Sequence, residues 1–413
     1  MPRFDAAIVG AGPAGSAAAI LLARAGWHVA LVERQRFPRR KVCGECIAAT
    51  NLPLLDALGV GDAVRSRAGA ELRRVALWRG RRSVIAALPP AEDGAQPFGR
   101  ALGREHLDTL LVERARVCGV TVFQPWALQR LEGEPGRFVF DLRRPGDDGA
   151  RMELEAPVAI AAHGSWEPLP SERESLRAAR RRSDLFAFKA NFRGAALDPD
   201  LLPVLSFAGG YGGMVIADDG LATLACCVRE DRLERERSVA GAQRAGDVVE
   251  AMLRRECGGV AAALSSAVRE GVWLSTGPLR PGVRLGAGDG VFRIGNAAGE
   301  AHPIVGEGIS MALQSAFVLA SVLGPARAQR VTLGAEPAEQ EPVMGAYEAL
   351  WRASFAQRLR LAAAFAHVAM RPAAAAAFWP LLQRWPGVLA MGARWSGKTR
   401  CVVPAIGLAE ANR

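Results

Sequence analysis

The chain has 413 residues, 50% of them hydrophobic and 23% charged, and this length and composition indicate a folded protein of two or more lobes rather than a disordered one. It contains no run of about 18 apolar residues and no leader pattern at its start, so we expect a cytoplasmic protein without a transmembrane segment. The net charge of +10 comes mainly from arginines that are spread through the chain without a nucleic-acid-binding motif, so we expect a solvated basic surface and no nucleic-acid partner.

A glycine-rich turn lies near the start of the chain. An apolar run, a G-x-G-x-x-G turn at residues 10–15, an Ala/Leu-rich helical segment and a second apolar run that ends at Glu33 follow one another. In a dinucleotide site, Gly10 would allow the tight turn, Gly12 would let the backbone approach a pyrophosphate, and Gly15 would let the helix pack on the strand. The helix N-terminus would face the phosphates, and Glu33 would accept hydrogen bonds from a ribose. The segment predicts a dinucleotide site, because an ordinary βαβ turn would not explain the acid.

A loop predicted over residues 34–46 carries a C-x-x-C pair formed by Cys43 and Cys46. Such a pair can bind a metal or form a redox disulfide. No second C-x-x-C accompanies it, which disfavours zinc, and the seven cysteines of the chain lack a framework spacing, which fits a reducing compartment. A loop that only shapes a pocket stays open as the simpler interpretation.

The middle of the chain is predicted to alternate strands and helices. Strands are expected at residues 70–98, 120–123, 138–142, 152–154, 158–162, in a block over 185–228, and at 272–274. Helices are expected at residues 101–118, 172–182 and 239–256. The strand block contains the glycine-rich sequence 209–213 around Tyr211, which would line a pocket or form a simple bulge.

The last third of the chain contains a second glycine-rich turn. An apolar strand over residues 291–294 leads into residues 295–309, GNAAGEAHPIVGEGI, and then into a long apolar helix that Gly324 and Pro325 are expected to end. The remainder from Val343 is predicted to be mostly helical. It would pack as core or as a dimer contact rather than at a membrane surface, with a peripheral membrane contact left open.

Residues 295–309 resemble the second flavin-binding motif of the flavoprotein superfamily that includes p-hydroxybenzoate hydroxylase, geranylgeranyl reductase and the flavin-dependent halogenases. The resemblance covers residues 1 to about 325. In that family an acid of the motif binds the ribityl chain, the proline lies beside the isoalloxazine, and the Gly-x-Gly begins a helix whose N-terminus faces the flavin. Asn296 stands where the family has Asp, and its amide can still hydrogen-bond a hydroxyl. The resemblance implies bound FAD, with NAD(P)H as a transient reductant.

Three further segments resemble the family. Arg104 and Asp108 match the Arg and Asp of a helix whose Arg reaches the FAD phosphates or ribityl chain, although a surface charge would explain Arg104 as well. His163 and Gly164 stand where the family has Asp-Gly, and the departure at His163 leaves an ordinary strand-end histidine as the alternative. Residues 41–45, KVCGE, are similar to the Cys-Gly loop that lies at the flavin in geranylgeranyl reductase-like proteins.

Together these motifs give the candidate site. The candidate catalytic residues are Cys43, Glu45, Pro303 and Tyr211. The candidate cofactor-binding residues are Gly10, Gly12, Ala14, Gly15, Glu33, Arg34, Arg104, Asp108, Gly164, Gly295, Asn296, Gly306, Glu307, Gly308 and Ile309. No set of metal ligands is predicted.

The expected fold is α/β, with a discontinuous Rossmann-like FAD-binding domain, a mixed β-sheet substrate lobe and a helical C-terminus. The FAD-binding domain would comprise residues 1–70, 99–165 and 275–325, the substrate lobe 71–98 and 166–274, and the helical region 326–413. We expect a monomer or homodimer whose partner is an apolar small-molecule substrate.

The resemblance implies an FAD-dependent oxidoreductase, and two chemistries fit. The favoured one is a monooxygenase of secondary metabolism that uses NAD(P)H and oxygen to hydroxylate an apolar small molecule, such as an aromatic or polyketide-type compound. The alternative is reduction of a C=C bond in a prenyl or lipid-like substrate, which the KVCGE loop favours and the absence of a Tyr-x-Trp-x-Phe-Pro segment disfavours. Halogenation is disfavoured because Trp-x-Trp-x-Ile-Pro and its lysine are absent. A non-catalytic basic flavoprotein or a nucleic-acid-binding protein is the alternative from another class.

Overall fold

The computed structural model describes residues 1–92, 96–146, 149–165, 169–170, 181–328 and 337–395. Their strands, β1 to β19 in chain order, are Ala6–Val9, Val29–Val32, Cys46–Ile47, Arg74–Arg79, Arg82–Ala87, Arg100–Ala101, Thr121–Phe123, Ala127–Glu134, Arg137–Arg143, Arg151–Ala156, Val158–Ala161, Leu185–Arg193, Leu201–Phe207, Gly210–Ile216, Ala222–Arg229, Val268–Leu279, Gly282–Val283, Phe292–Arg293 and Gly299–Glu300. Their helices, α1 to α11, are Pro13–Arg24, Leu52–Ala57, Gly61–Arg67, Arg104–Val117, Glu230–Ala240, Ala245–Glu256, Gly258–Ala263, Gly308–Ala328, Pro337–Met370, Pro372–Arg384 and Gly387–Trp395. The helix expected at residues 172–182 falls almost entirely outside the described residues.

Five parallel strands, in the order β18, β11, β1, β2, β7, form the sheet that positions the first glycine-rich turn. Successive residues of a strand point to opposite faces of a sheet, and both faces of β1 are buried. Ala6 and Ile8 pack with α1 and α8 in one core, whereas Ala7 packs in a second core with the three-stranded sheet β8–β10. The apolar run before residue 10 is therefore a central strand, and the turn lies at its carboxyl end.

A seven-stranded sheet, in the order β16, β12, β15, β14, β13, β4, β5, forms the second lobe. Neighbouring strands are antiparallel except β4 and β13, which are parallel. The hairpin β4–β5 thus joins a sheet whose other strands come more than a hundred residues later. Helices α6 and α7 cover one face, where Val249 and Val260 pack. On the opposite face, Ala187, Tyr211 and Cys227 pack together with residues of α9.

The long C-terminal helix α9 contacts both lobes. Its Tyr347 and Trp351 are fully buried in the core that contains α1 and α8, and Ala366 and Met370 pack against the seven-stranded sheet. The expectation of core packing is met for this helix. No single described helix has the length and hydropathy of a membrane span, although Gln340–Met370 and α10, bent by 100°, pass that test as a pair.

Three sequence-based boundaries are wrong. The helix expected at residues 239–256 is two helices, because Gly241 adopts a φ of 69° that ends α5 before α6 begins. The helix expected at 101–118 begins three residues later, because Ala101 pairs with β3 in a short antiparallel ladder. Pro325 does not end α8, which continues to Ala328. Tertiary packing overrides local propensity at such positions.

Candidate active site

A cavity of about 230 Å³, here called the central cavity, lies between the parallel sheet and the seven-stranded sheet. One wall is formed by the first glycine-rich turn, the second glycine-rich turn and the start of α8, and the opposite wall by β12 to β15. Most of the predicted site residues line it, namely Gly12, Ala14, Cys43, Glu45, Arg104, Gly164, Tyr211, Gly295, Asn296, Pro303, Gly306, Gly308 and Ile309. The structure therefore brings residues from six segments of the chain to one place.

The three glycines of the first turn differ in what surrounds them. Gly10 has a φ of +104°, and a Cβ there would lie 2.5 Å from the carbonyl oxygen of Ala162. A Cβ on Gly15 would lie 1.9 Å from the carbonyl oxygen of Gly10, so α1 packs directly on the turn. Gly12 faces the central cavity, where a Cβ would meet only Arg104 Nη2, at 3.6 Å. The fold requires Gly10 and Gly15, and Gly12 is the glycine that a ligand can approach.

Glu33 holds the first turn from the end of β2. It is 5% exposed, its Oε2 accepts a hydrogen bond from the N–H of Ala11 at 3.0 Å, and its Oε1 accepts one from the N–H of Gln35 at 2.8 Å. A carboxylate offers about four acceptor positions, so a ribose hydroxyl can still bind there. The acid that closes the second strand thus orders the turn and keeps acceptor capacity for a ligand.

Arg39, which the sequence analysis did not single out, lies between two acids of the site. Its Nη2 is 3.7 Å from Glu33 Oε2, and its Nη1 is 3.3 Å from Asp108 Oδ2. The side chain is 12% exposed, and its Nε and Nη1 make no hydrogen bond with the described residues. Buried guanidinium N–H groups without acceptors are uncommon, and an anionic ligand beside the first turn would satisfy them.

Arg104 is a buried member of the site rather than a surface charge. Its Nε and Nη2 donate to the two carboxylate oxygens of Asp108 at 2.7 and 2.9 Å, which fixes the guanidinium one helical turn from its partner. Burial lowers the pKa of Arg104, but the charge of Asp108 and the side chain of Cys43 raise it by more than burial lowers it. The pKa of Arg104 therefore lies above its ordinary value. A permanently charged group therefore stands beside Gly12.

The second glycine-rich turn ends in a helix N-terminus that faces the central cavity. Gly306 adopts a left-handed φ of 65° and Gly308, the first residue of α8, has open space where a Cβ would be. The turn is anchored at its start, where the N–H of Gly295 donates to Ser315 Oγ at 2.8 Å. Asn296 Nδ2 donates to Ser165 Oγ at 2.8 Å, which ties this turn to the end of β11. Unpaired N–H groups at such a helix start attract negative charge.

The segment after β11 contributes its glycine rather than its histidine. Gly164 has a φ of +81° and lines the central cavity, where a Cβ would meet only Lys41 Nζ, at 3.5 Å. His163 is buried but does not line the cavity. The interpretation of His163 as a strand-end residue is the one that this geometry favours.

Glu45 is the centre of a buried polar cluster. Its Oε1 accepts hydrogen bonds from Lys189 Nζ and from the N–H of Arg104, the latter at 3.1 Å, and its Oε2 accepts one from Thr223 Oγ1 at 2.5 Å. Burial raises the pKa of Glu45, and Lys189 opposes that rise. Glu45 also has a φ of 60°, uncommon for a residue with a side chain. Because both carboxylate oxygens are occupied, the geometry favours a positioning role for Glu45 over the catalytic role predicted for it.

The two cysteines of the loop are free thiols. The N–H of Glu45 donates to Cys43 Sγ at 3.3 Å, and the thiol also contacts Arg104. Both Cys43 and Cys46 line the central cavity. The loop thus places a thiol in the central cavity, beside Arg104.

Tyr211 projects from β14 and its hydroxyl lies 3.1 Å from His302 Nδ1, so that one donates a hydrogen bond to the other. Its neighbours Gly212 and Gly213 also line the central cavity, but protein atoms lie close to two glycines of this segment. A Cβ on Gly210 would lie 2.2 Å from the ring of Phe207, and one on Gly212 would lie 2.8 Å from Cys226 Cβ. These glycines let β13, β14 and β15 pack closely, and Tyr211 is the polar group of this strand that reaches the central cavity.

Several predicted cofactor residues lie outside the cavity lining. Gly10, Gly15, Glu33, Asp108 and Glu307 support it from behind, as the contacts of the first four show above. Glu307 is fully buried and forms an ion pair with Arg358 of α9 at 3.3 Å. Arg34 is exposed and lines a separate surface depression with Arg143 and Arg144. The sequence analysis missed Arg39, Lys189 and His302.

Curated relatives and solved structures share parts of this chain. A tryptophan 2-halogenase of Chondromyces crocatus is 32% identical over 188 residues, which are 39% of this chain and 35% of that protein. A 6-methylpretetramide 4-monooxygenase of Streptomyces rimosus is 38% identical over 112 residues, 27% of each chain. The match therefore spans about a third or less of these two relatives. Digeranylgeranylglycerophospholipid reductase 2 of Methanopyrus kandleri is 24% identical over 87% of this chain and 85% of that protein.

The fold is shared with solved flavoproteins at low identity. The flavin-dependent brominase Bmp2 superposes with a TM-score of 0.74 at 17% identity, covering 99% of this chain and 96% of that one. PqsL of Pseudomonas aeruginosa, described as a probable FAD-dependent monooxygenase, superposes with a TM-score of 0.67 at 19% identity. The superposition covers 92% of this chain and 100% of PqsL. The sequence family described as "FAD binding domain" matches residues 3–330. The chain belongs to this FAD-binding family of oxidoreductases.

Proposed function

We propose that this chain is an FAD-dependent monooxygenase that hydroxylates an apolar small molecule, with NAD(P)H as electron donor and oxygen as oxidant. The observation that supports it is the central cavity, which runs from a glycine-lined wall suited to a flavin cofactor to a wall of the seven-stranded sheet that is mainly apolar. Chemistry between a flavin and a substrate needs the two to meet in a site that excludes water. The two walls of the central cavity face each other, so a flavin on one wall would contact a substrate on the other.

The residues of the first wall fit FAD. Gly12, Gly164 and Gly308 all face open space in the cavity, where only a backbone without a side chain lets a large planar or diphosphate group approach. Arg39 offers buried N–H groups that lack acceptors, and Arg104 adds a fixed positive charge beside Gly12. Bound FAD would supply the electron transfer to oxygen or to the substrate, and the residues of this chain would bind it, orient it and exclude water.

The opposite wall sets the class of substrate. The residues that line this wall are largely apolar, and Ala187, Leu202, Val204 and Leu279 are among those on the face of the sheet away from α6 and α7. Tyr211 and the thiol of Cys227 are the polar groups among the lining residues of β14 and β15 on this face. Burial of apolar substrate surface would therefore contribute most of the binding energy, with one phenol available to orient a hydroxyl or carbonyl group. We also propose the division into a cofactor domain, a substrate lobe and a C-terminal helical region with the boundaries given above.

Reduction of a C=C bond is the second candidate. It is supported by the similarity to the Methanopyrus kandleri reductase, which extends over 85% of that protein. It is also supported by Cys43, whose thiol lines the cavity beside Arg104. Either chemistry would use the same cofactor wall, so that the two differ in what the substrate wall holds.

The two candidates are separated by the fate of oxygen. The FAD-loaded protein is given NADPH, oxygen-18 gas and a probe set of alkylphenols and a geranylgeranyl alkene. If the protein is a monooxygenase, it is expected to give a hydroxylated alkylphenol that carries one labelled oxygen atom, and no saturated alkene. A saturated alkene formed under anaerobic conditions would instead establish the reductase.

A matched pair of variants connects the product to the central cavity. Val204→Trp fills the cavity from β13 and is expected to lower turnover of the probe without loss of bound FAD. Ile85→Trp changes an exposed position of the same sheet, 47% exposed, and is expected to keep wild-type turnover. Equal turnover by both variants would contradict the placement of the substrate.

A further inference from the structure

We propose that Tyr211, His302 and His367 form a proton path from the central cavity to solvent, and that the C-terminal helix α9 supplies its outer end. The inference rests on the proposed function, because either candidate reaction consumes one proton per turnover. In hydroxylation, NAD(P)H, a proton, oxygen and the substrate give NAD(P)⁺, the hydroxylated product and water. In reduction, NAD(P)H and a proton add two hydrogens across the C=C bond.

The inner end of the path is a buried side chain. Tyr211 is 1% exposed and lines the central cavity, and its hydroxyl meets His302 Nδ1 at 3.1 Å. Around it lies an apolar cluster that includes Leu185, Leu279, Ala366 and Met370. The hydroxyl of Tyr211 can therefore exchange a proton with His302 at this end.

The protonation states of the inner pair suit transfer. Burial raises the pKa of Tyr211 well above its ordinary value, so Tyr211 is a neutral phenol. Burial, and next the neighbouring His367, lower the pKa of His302 to about 4, so His302 is a neutral imidazole at neutral pH. A neutral imidazole carries one N–H and one acceptor nitrogen. It can take a proton on one nitrogen as it releases one from the other.

The other titratable groups that face this pair do not compete for the proton. Cys227 contacts the Tyr211 hydroxyl, and burial raises the pKa of its thiol to about 12. The negative charge of Glu300, on β19, also raises the pKa of both Tyr211 and Cys227. Its Oε2 is held by Arg284 Nη2 at 2.8 Å and by the N–H of Arg280 at 3.1 Å. His302 is thus the group to which Tyr211 can pass or from which it can receive a proton.

The outer end of the path belongs to α9. His367 is exposed, and its ring centre lies 5.9 Å from that of His302 with a 60° angle between the ring planes. At this separation one water molecule between the rings would complete the path. His367 lies outside residues 3–330, the part that matches the FAD-binding family. The C-terminal helix would therefore contribute a functional residue from outside the part that matches the FAD-binding family, besides its packing.

The test measures proton exchange directly and needs no substrate. In the FAD-loaded protein, the exchange of the His302 ring N–H with water is measured by NMR saturation transfer, with the signal assigned by its loss in His302→Gln. His367→Gln is expected to slow this exchange several-fold, and added imidazole is expected to restore part of the rate. His28→Gln, a change at another exposed histidine, is expected to leave the rate unchanged. An unchanged exchange rate in His367→Gln would overturn the proposal.

Turnover distinguishes this inference from the proposed function. Tyr211→Phe is expected to lower turnover about a hundredfold, the lower part of the range for general acid–base groups, while the His302 exchange rate stays the same. Full turnover by Tyr211→Phe would overturn the inner half of the path. A wild-type protein that exchanges this proton rapidly but neither incorporates labelled oxygen nor reduces the alkene would contradict the proposed function alone.

Discussion

The two walls of the central cavity are built in different ways. The cofactor wall comes largely from two contiguous segments, residues 10–15 and 295–309, in which bare glycine backbone and a helix N-terminus form the surface. The substrate wall comes from side chains of β12 to β15. It is tied to the rest of the molecule by contacts across long stretches of chain, such as the pair of Glu45 with Lys189, 144 residues apart.

This difference explains how one fold accommodates several chemistries. A backbone surface depends on spacing and local geometry, so it stays the same while side chains elsewhere change. A wall of side chains can change its substrate without disturbing the cofactor. Function therefore depends on the substrate wall more than on the fold, and the variants below test whether the two walls are separable in this way.

The largest effect is expected at the connection between the walls. Lys189→Met leaves the buried Glu45 without its charged partner, and loss of one member of a buried ion pair costs about 3–5 kcal/mol. Glu45→Gln with Lys189→Met removes both charges and is expected to recover most of that stability. Denaturant unfolding of the single and double variants measures the free energy of unfolding. Equal stability of the single and double variants would show that the two side chains are not coupled.

The next effect is a pH dependence at His302, where the second glycine-rich turn meets Tyr211 of β14. The folded-state pKa of His302 is about 4 against an ordinary 6.5, so unfolding takes up a proton between these values. The stabilisation is present above pH 6.5 and lost as the pH falls to 4, and at 1.36 kcal/mol per pKa unit it amounts to about 3 kcal/mol.

Chemical unfolding at several pH values between these limits checks this dependence. His302→Gln should flatten the loss of stability at acidic pH, and His28→Gln should retain it. The same slope in both variants would rule out His302 as its source.

A smaller effect is expected at the cofactor wall alone. Arg39→Gln removes buried donors that an anionic group would use, and hydrogen bonds to charged groups contribute about 1.5–3 kcal/mol. The affinity for FAD should fall by tenfold or more, on the order of what that energy implies, with the substrate wall unaffected. Arg36→Gln, at an exposed position of the same loop, is the control. Fluorescence titration of the apo-protein with FAD measures both, and equal affinities would remove Arg39 from the site.

The smallest effects separate packing glycines from ligand-facing ones. Gly15→Ala places a Cβ against the Gly10 carbonyl and should destabilise the fold by about 1–3 kcal/mol, as overpacking does. Gly12→Ala meets open space, so it should leave the unfolding free energy unchanged and weaken only FAD binding. Thermal unfolding without FAD compares them, and a Gly12→Ala protein that is as destabilised as Gly15→Ala would contradict this assignment.

The same contrast decides what could be predicted from the sequence. The first strand–turn–helix unit and the second glycine-rich turn are encoded by local spacing, and both were predicted from the sequence. The resemblance to known flavoproteins suggested Arg104, Asp108, Cys43 and Glu45 as site residues, without the ion pair between Arg104 and Asp108. It could not show that both oxygens of Glu45 are occupied, because their partners lie on other strands.

Residues whose contacts join distant elements could not be located in this way. Lys189 carried one signal, a lone lysine within an apolar strand of a chain whose basic residues are mostly arginine. His302 lay unremarked inside a motif recognised for its glycines, and His367 lies in a helix without any motif. Their contacts depend on how β14, the second turn and α9 pack together, which no periodicity or spacing records. The break at Gly241 was missed for a similar reason, since a single left-handed glycine interrupted an otherwise helical pattern.

The central claim is that the glycine-lined wall holds FAD rather than a nicotinamide nucleotide. Equilibrium titration of the apo-protein with FAD, and separately with NAD⁺, tests it most directly. The account predicts one tightly bound FAD per chain, weaker FAD binding by Gly12→Ala, and no stoichiometric binding of NAD⁺. An apo-protein that takes up NAD⁺ at this site, or that cannot be reconstituted with FAD, would contradict it.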